Sequence, residues 1–106
     1  MSDLYLKPEP TLEDLQRYVD TMVAERGFKR DLAQKFMLLT EEIGELAKAA
    51  RKSAGMTYAK DSQESEAAHE AAYVLMVLLD ICSTLGIDLE QAFRDKEEVN
   101  KTRTWN

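Results

Sequence analysis

Turn-forming residues are scarce in this chain. Only 4 Gly and 2 Pro occur among 106 residues, and both prolines, Pro8 and Pro10, fall within the first ten. A β-rich domain of this length needs many more turn residues, so an all-β fold is excluded. Cysteine is rarer still. The single Cys82 has no partner for an internal disulfide, and its apolar sequence neighbours suggest a small buried thiol. No basic segment followed by an apolar one opens the chain, so no secretion signal is expected. Long hydrophobic runs are missing too: the longest strictly apolar stretch, Ala71–Leu79, is well short of the roughly 18–20 residues of a membrane span. Positive charge is the last deficit, with 14 Lys+Arg against 20 Asp+Glu giving a formal net charge of -6. Such a chain repels nucleic-acid backbones and anionic lipid, so neither is an expected partner. The expectation is one cytoplasmic domain over residues 1–106, with residues 1–10 as an extended N-terminal arm.

What the chain has in quantity is helical periodicity. Thr11 precedes Leu12, Glu13 and Asp14, an N-cap with acids in the first turn. Leu12, Leu15, Val19 and Met22 follow at helical spacing until Gly27. Asp31 caps a second helix with an apolar stripe of Leu32, Phe36, Leu39, Ile43, Leu46 and Ala50, ended by Gly55. A polar link runs from roughly Met56 to Ser65. The third helix starts between Ser62 and Glu66, reaches Leu85 and is closed by Gly86. Asp88, with Gln91 three residues on, suggests a capping box for a fourth helix. The fold class is all-α, a bundle of four to five helices.

The third helix carries Val74 through Leu79 and Ile81 around its whole circumference, with Asp80 the only charge among them. A helix apolar on every side must be buried on every side. Three amphipathic neighbours in one short chain leave a side uncovered, so homodimerisation, or a tetramer built from dimers, is expected to complete the core. The alternative is a central helix enclosed within one monomeric bundle.

The acidic residues of the second helix are placed for chemistry. Glu42 and Glu45 share a stripe with Leu38 and Ala49 at the edge of the apolar face, and Glu41 points further out. On the third helix, Glu66, Glu70 and Tyr73 share a face, with His69 beside it. If the two helices run antiparallel, Glu70 approaches Glu42 and Glu45. Convergent carboxylates without thiolates suit a hard cation, Mg²⁺ or Mn²⁺, whereas Glu pairs on helices otherwise form a solvated face. On the fourth helix, Lys96, Asn100 and Arg103 form a polar stripe suited to phosphate, or simply to the negative end of the helix dipole.

Together these motifs resemble a known family. Glu41-Glu42-Ile43-Gly44-Glu45-Leu46 is similar to the EExxE signature of the MazG-like, all-α nucleoside triphosphate pyrophosphohydrolases. Glu70-Ala71-Ala72-Tyr73 stands where that family has ExxD; Gly86-Ile87-Asp88-Leu89 and the Lys96, Asn100, Arg103 stripe follow in the family's order. The likeness runs from roughly Thr11 to Trp105, with one departure: Tyr73 replaces the second signature's Asp. The resemblance implies Mg²⁺-dependent hydrolysis of a (deoxy)nucleoside triphosphate to monophosphate and pyrophosphate, serving to clean the nucleotide pool. It implies Glu42, Glu45 and Glu70 as metal ligands with Glu41 as a further acidic member of the site; chemically, Glu41, the glutamate not spent as a ligand, is the candidate proton acceptor, and Lys96, Asn100 and Arg103 suit the phosphates and sugar of the substrate. Tyr73 and Glu66 would line the site, and a phenol is a poorer Mg²⁺ ligand than a carboxylate. The alternatives are a nucleotide-binding sensor silenced by Tyr73, or a helical oligomeric interaction module.

Overall fold

The computed structural model describes residue 2 and residues 4–55 and 67–104. Among them the chain is entirely helical, in the order α1 (Leu12–Arg26), α2 (Leu32–Ser53), α3 (Ala67–Thr84) and α4 (Leu89–Lys101). The start expected for α3, between residues 62 and 66, lies outside the described residues, as do Glu66 and Trp105.

The caps form where the sequence places them. Thr11 accepts from the Asp14 amide while Asp14 accepts from the Thr11 amide, and Asp31 and Gln34 do the same for α2. The α4 cap is only half of a box. Asp88 accepts from the Gln91 amide at 3.2 Å, but the Gln91 side chain donates to Asp95 at 2.9 Å instead of returning to the cap. Gly86 ends α3 with φ +71, a left-handed conformation that disfavours a side chain. Its amide donates to the Ser83 carbonyl and that of Ile87 to the Cys82 carbonyl, the paired bonds of a Schellman turn.

α2 and α3 form the most extensive helix pair, α1 packs on α3, and α4 packs chiefly on α1. Val19, Met22 and Leu79 are the centre of the core, with Leu12, Leu15 and Leu75 against them and Leu4 of the N-terminal arm closing one end. The buried Cys82 lies on the same helix as Leu79, and burial pushes its thiol up from the ordinary value. One side chain ties α1 to the α3–α4 turn. The Gln16 amide donates to Ser83 Oγ (3.0 Å) and the Ile87 carbonyl (2.7 Å), and accepts from the Leu89 amide at 3.1 Å.

One expectation about facing is corrected here. The Phe36, Ile43 and Ala50 stripe of α2 does not enter the core: Phe36 is 46% exposed, Ile43 50%, and Ala50 is exposed too. The face turned to α3 instead carries Lys35, Leu38, Glu42 and the buried Ala49, because α3 presents two carboxylates, Glu70 and Asp80, that only a partly polar face can meet. In α3, Val77, Leu79, Ile81 and Cys82 are buried within one protomer, while Met76 remains 40% exposed. At 18 residues α3 is as long and apolar as a short membrane span. One of its two carboxylates, Asp80, is paired with Lys35 of α2.

Candidate functional site

α2 and α3 run antiparallel: going up α2 from Lys35 to Glu42, the facing residues fall from Asp80 to Glu70. This direction brings two acids together across the helix pair. The Glu42 and Glu70 carboxyl groups are within hydrogen-bonding reach, and Glu42 is raised above its ordinary value by desolvation and then by Glu70, Glu45 and Glu41. Glu70 Oε2 is buried and has no hydrogen-bond partner. A carboxylate oxygen aimed into a half-buried acidic pair, with nothing donating to it, is a site suited to a proton or a cation.

The four acids expected to act together are thus arranged unequally. Glu42 and Glu70 converge. Glu45 and Glu41 are exposed on α2, and both act on Glu42 through their charge. Among the described residues no three acidic, histidine or cysteine side chains are close enough to hold a metal ion between them. A pair is nonetheless a recognised basis for Mg²⁺, which takes one or two carboxylates together with waters and the phosphates of its substrate. The donor set therefore fits a hard cation brought in with a polyphosphate better than a metal cage made wholly of protein.

Roughly two to three turns away, Asp80 is already committed. Lys35 Nζ lies 3.1 Å from Asp80 Oδ1 and 2.8 Å from Thr84 Oγ1, with side-chain exposures of only 12% and 16% for the ion pair. Asp80 therefore does not add to the acidic pair, since its charge is matched by Lys35. Sequence reasoning passed over Lys35, although it falls on the Leu38, Glu42 and Ala49 side of the helical wheel. Tyr73, 43% exposed, lies between the two pairs and lines a small cavity bordered by Phe28, Leu38 and Met76.

The α4 stripe is set apart from the acids. Lys96 and Arg103 are exposed, and Asn100 is half-buried with its Oδ1 buried and unpartnered. Since α4 packs chiefly on α1, the described contacts do not join these three residues to the Glu42–Glu70 pair.

No family model matches the chain. It is similar to the dATP/dGTP diphosphohydrolase of Cyanophage S-2L, with 36% identity over 70 residues, which cover 63% of this chain and 51% of that protein. The chain thus spans about half the length of the curated relative it matches.

Proposed function

We propose that this protein is a Mg²⁺-dependent, MazG-like nucleoside triphosphate pyrophosphohydrolase that acts on purine deoxynucleotides. The observation that carries the reading is the Glu42–Glu70 pair with its unpartnered buried oxygen; the name of the cyanophage relative supplies the substrate class. Glu42 and Glu70 would hold Mg²⁺, with Glu45 adding charge beside them. When bound, the ion would offset phosphate charge and lower the pKa of an attacking water.

The residues of the chain divide the remaining work. Glu41, exposed one position before Glu42 and free of any ligand duty, accepts the proton of the water that attacks the α-phosphorus. The bond from that phosphorus to the bridging oxygen breaks, and pyrophosphate leaves with the electron pair. Lys96, Asn100 and Arg103 serve the departing phosphates. They must reach the acids from a partner subunit or through a movement of α4.

The exposed apolar side chains of α2 support a homodimer as part of this reading. Phe36 and Ile43, seven residues apart, place two large apolar side chains on the outward face. Ile43→Asp should therefore convert a dimer to a folded monomer, raising the dissociation constant about a hundredfold or more, as expected for an unpaired charge in an interface. Sedimentation equilibrium measures this, and a wild type that is monomeric at micromolar concentration overturns the dimer.

The function itself is tested by pyrophosphate release from canonical deoxynucleoside triphosphates with Mg²⁺. Release from dGTP or dATP that stops with EDTA is the expected result. No release from any of them, from a folded protein, sinks the enzyme and leaves a nucleotide sensor.

A further inference from the structure

Beside the acidic pair lies a cavity of about 110 Å³ between α1, α2 and α3. It opens next to the carboxylates: Leu38 is one turn before Glu42 on α2, and Tyr73 is one turn after Glu70 on α3. Nucleotide-sized sites usually occupy roughly 300–1,000 Å³. This one has room for a single ring system and leaves any phosphate chain outside.

Its lining divides by chemistry. The floor is core: Val19, Met22 and Val77 are all buried. The rings of Phe28 and Tyr73, with the flat thioether of Met76, offer stacking and dispersion to a planar guest. The charged groups are almost all donors. Arg26, Arg30 and Lys35 line the cavity against a single carboxylate, Asp80, which Lys35 holds at 3.1 Å. Among the described residues neither Arg26 nor Arg30 has an ion-pair partner, and the Arg30 guanidinium lies 5.0 Å from the centre of the Phe28 ring. That contact sets the plane of a donor fork at the mouth of an apolar slot.

Three cationic donors against one carboxylate that is already paired with Lys35 favour a ring edge rich in acceptors. The O6 and N7 atoms of a 6-oxopurine are such an edge, and a guanidinium bonds both at once; adenine replaces O6 with an N6 amino donor, which cannot accept from a guanidinium and loses that bidentate contact. We propose that this cavity receives the base of a 6-oxopurine nucleotide, guanine or hypoxanthine, read at O6 and N7 by Arg26 or Arg30. The direction of the phosphates toward Glu42 and Glu70 rests on the phosphohydrolase reading; the base preference does not.

The test uses the full chain in EDTA, so that no turnover contributes, with calorimetric titration of dGMP, dIMP and dAMP. The expected result is about tenfold tighter binding of dGMP and dIMP than of dAMP, the discrimination of one good bidentate contact. Arg26→Gln with Arg30→Gln should bring all three affinities together, with folding checked by circular dichroism. Leu38→Trp, which fills the slot, should abolish binding of all three. If that variant misfolds, the arginine pair still decides. Equal binding of dGMP and dAMP, loss of binding for dIMP alone, a preference that survives without both arginines, or no binding at millimolar nucleotide each overturns the proposal. A dGMP preference without pyrophosphate release sinks the hydrolase and keeps the pocket. Pyrophosphate release without base preference does the reverse.

Discussion

Glu70→Gln should lower Mg²⁺-dependent pyrophosphate release at least about a hundredfold, the effect of removing an interaction of about 2.7 kcal/mol with the transition state. The same change should stabilise the metal-free protein. Gln keeps the shape of Glu but cannot add a second negative charge beside Glu42, whose carboxyl is raised by desolvation and by Glu70. A carboxylate raised in the folded state holds its proton there at pH values where the unfolded chain has released it. The stability it contributes is complete below the unfolded value and is lost as pH rises through the folded one. Wild-type Tm in EDTA should thus include a decline from about pH 4.5 upward, and the wild-type minus variant difference should isolate it. Millimolar Mg²⁺ should raise the wild-type Tm and leave the variant nearly unmoved. A variant with the same pH profile, the same Mg²⁺ response and the same turnover as wild type removes Glu70 from the site.

Lys35→Met should cost about 2–3 kcal/mol, below the full range for a buried pair because both partners keep some access to water. The cost arises chiefly from Asp80, left half-buried without its cation, and secondarily from the lost bond to Thr84. For a chain of this size the loss corresponds to a fall in Tm of roughly 10 °C or more. Lys35→Met combined with Asp80→Leu should recover most of it, since two apolar groups of similar shape leave no orphaned charge. Chemical denaturation of the two variants decides the matter. A single variant within about 0.5 kcal/mol of wild type would make the pair no stronger than one on the surface.

That ion pair also shows where sequence reading stops. Helix ends are local, so Thr11, Asp31, Asp88 and Gly86 identify them from a few neighbouring residues. The meeting of Glu42 with Glu70 was legible once α2 and α3 were taken as antiparallel. The facing of α2 was not. Its most apolar stripe holds Phe36 and Ile43, and periodicity alone turns such a stripe inward. The packed face is set by Asp80, 45 residues away from Lys35, and no pattern within α2 reports that distance. Gln16 was equally invisible, since a glutamine one turn into an amphipathic helix carries no mark of three hydrogen bonds to the α3–α4 turn.

Those three bonds join residues 67 to 73 positions apart. The hydrophobic centre is as dispersed, since Val19 and Met22 meet Leu79 only after α2 and everything between has been synthesised. Most helical domains fold quickly because their contacts are close in sequence. Here the first helix has no core of its own to join until α3 arrives, and α4 gets its orientation from an amide on α1. Closing that long loop is expected to slow folding relative to a bundle held by local contacts alone. During synthesis α1 waits with Val19 and Met22 uncovered, and the amphipathic α2 that emerges next is the nearest apolar surface available to shield them.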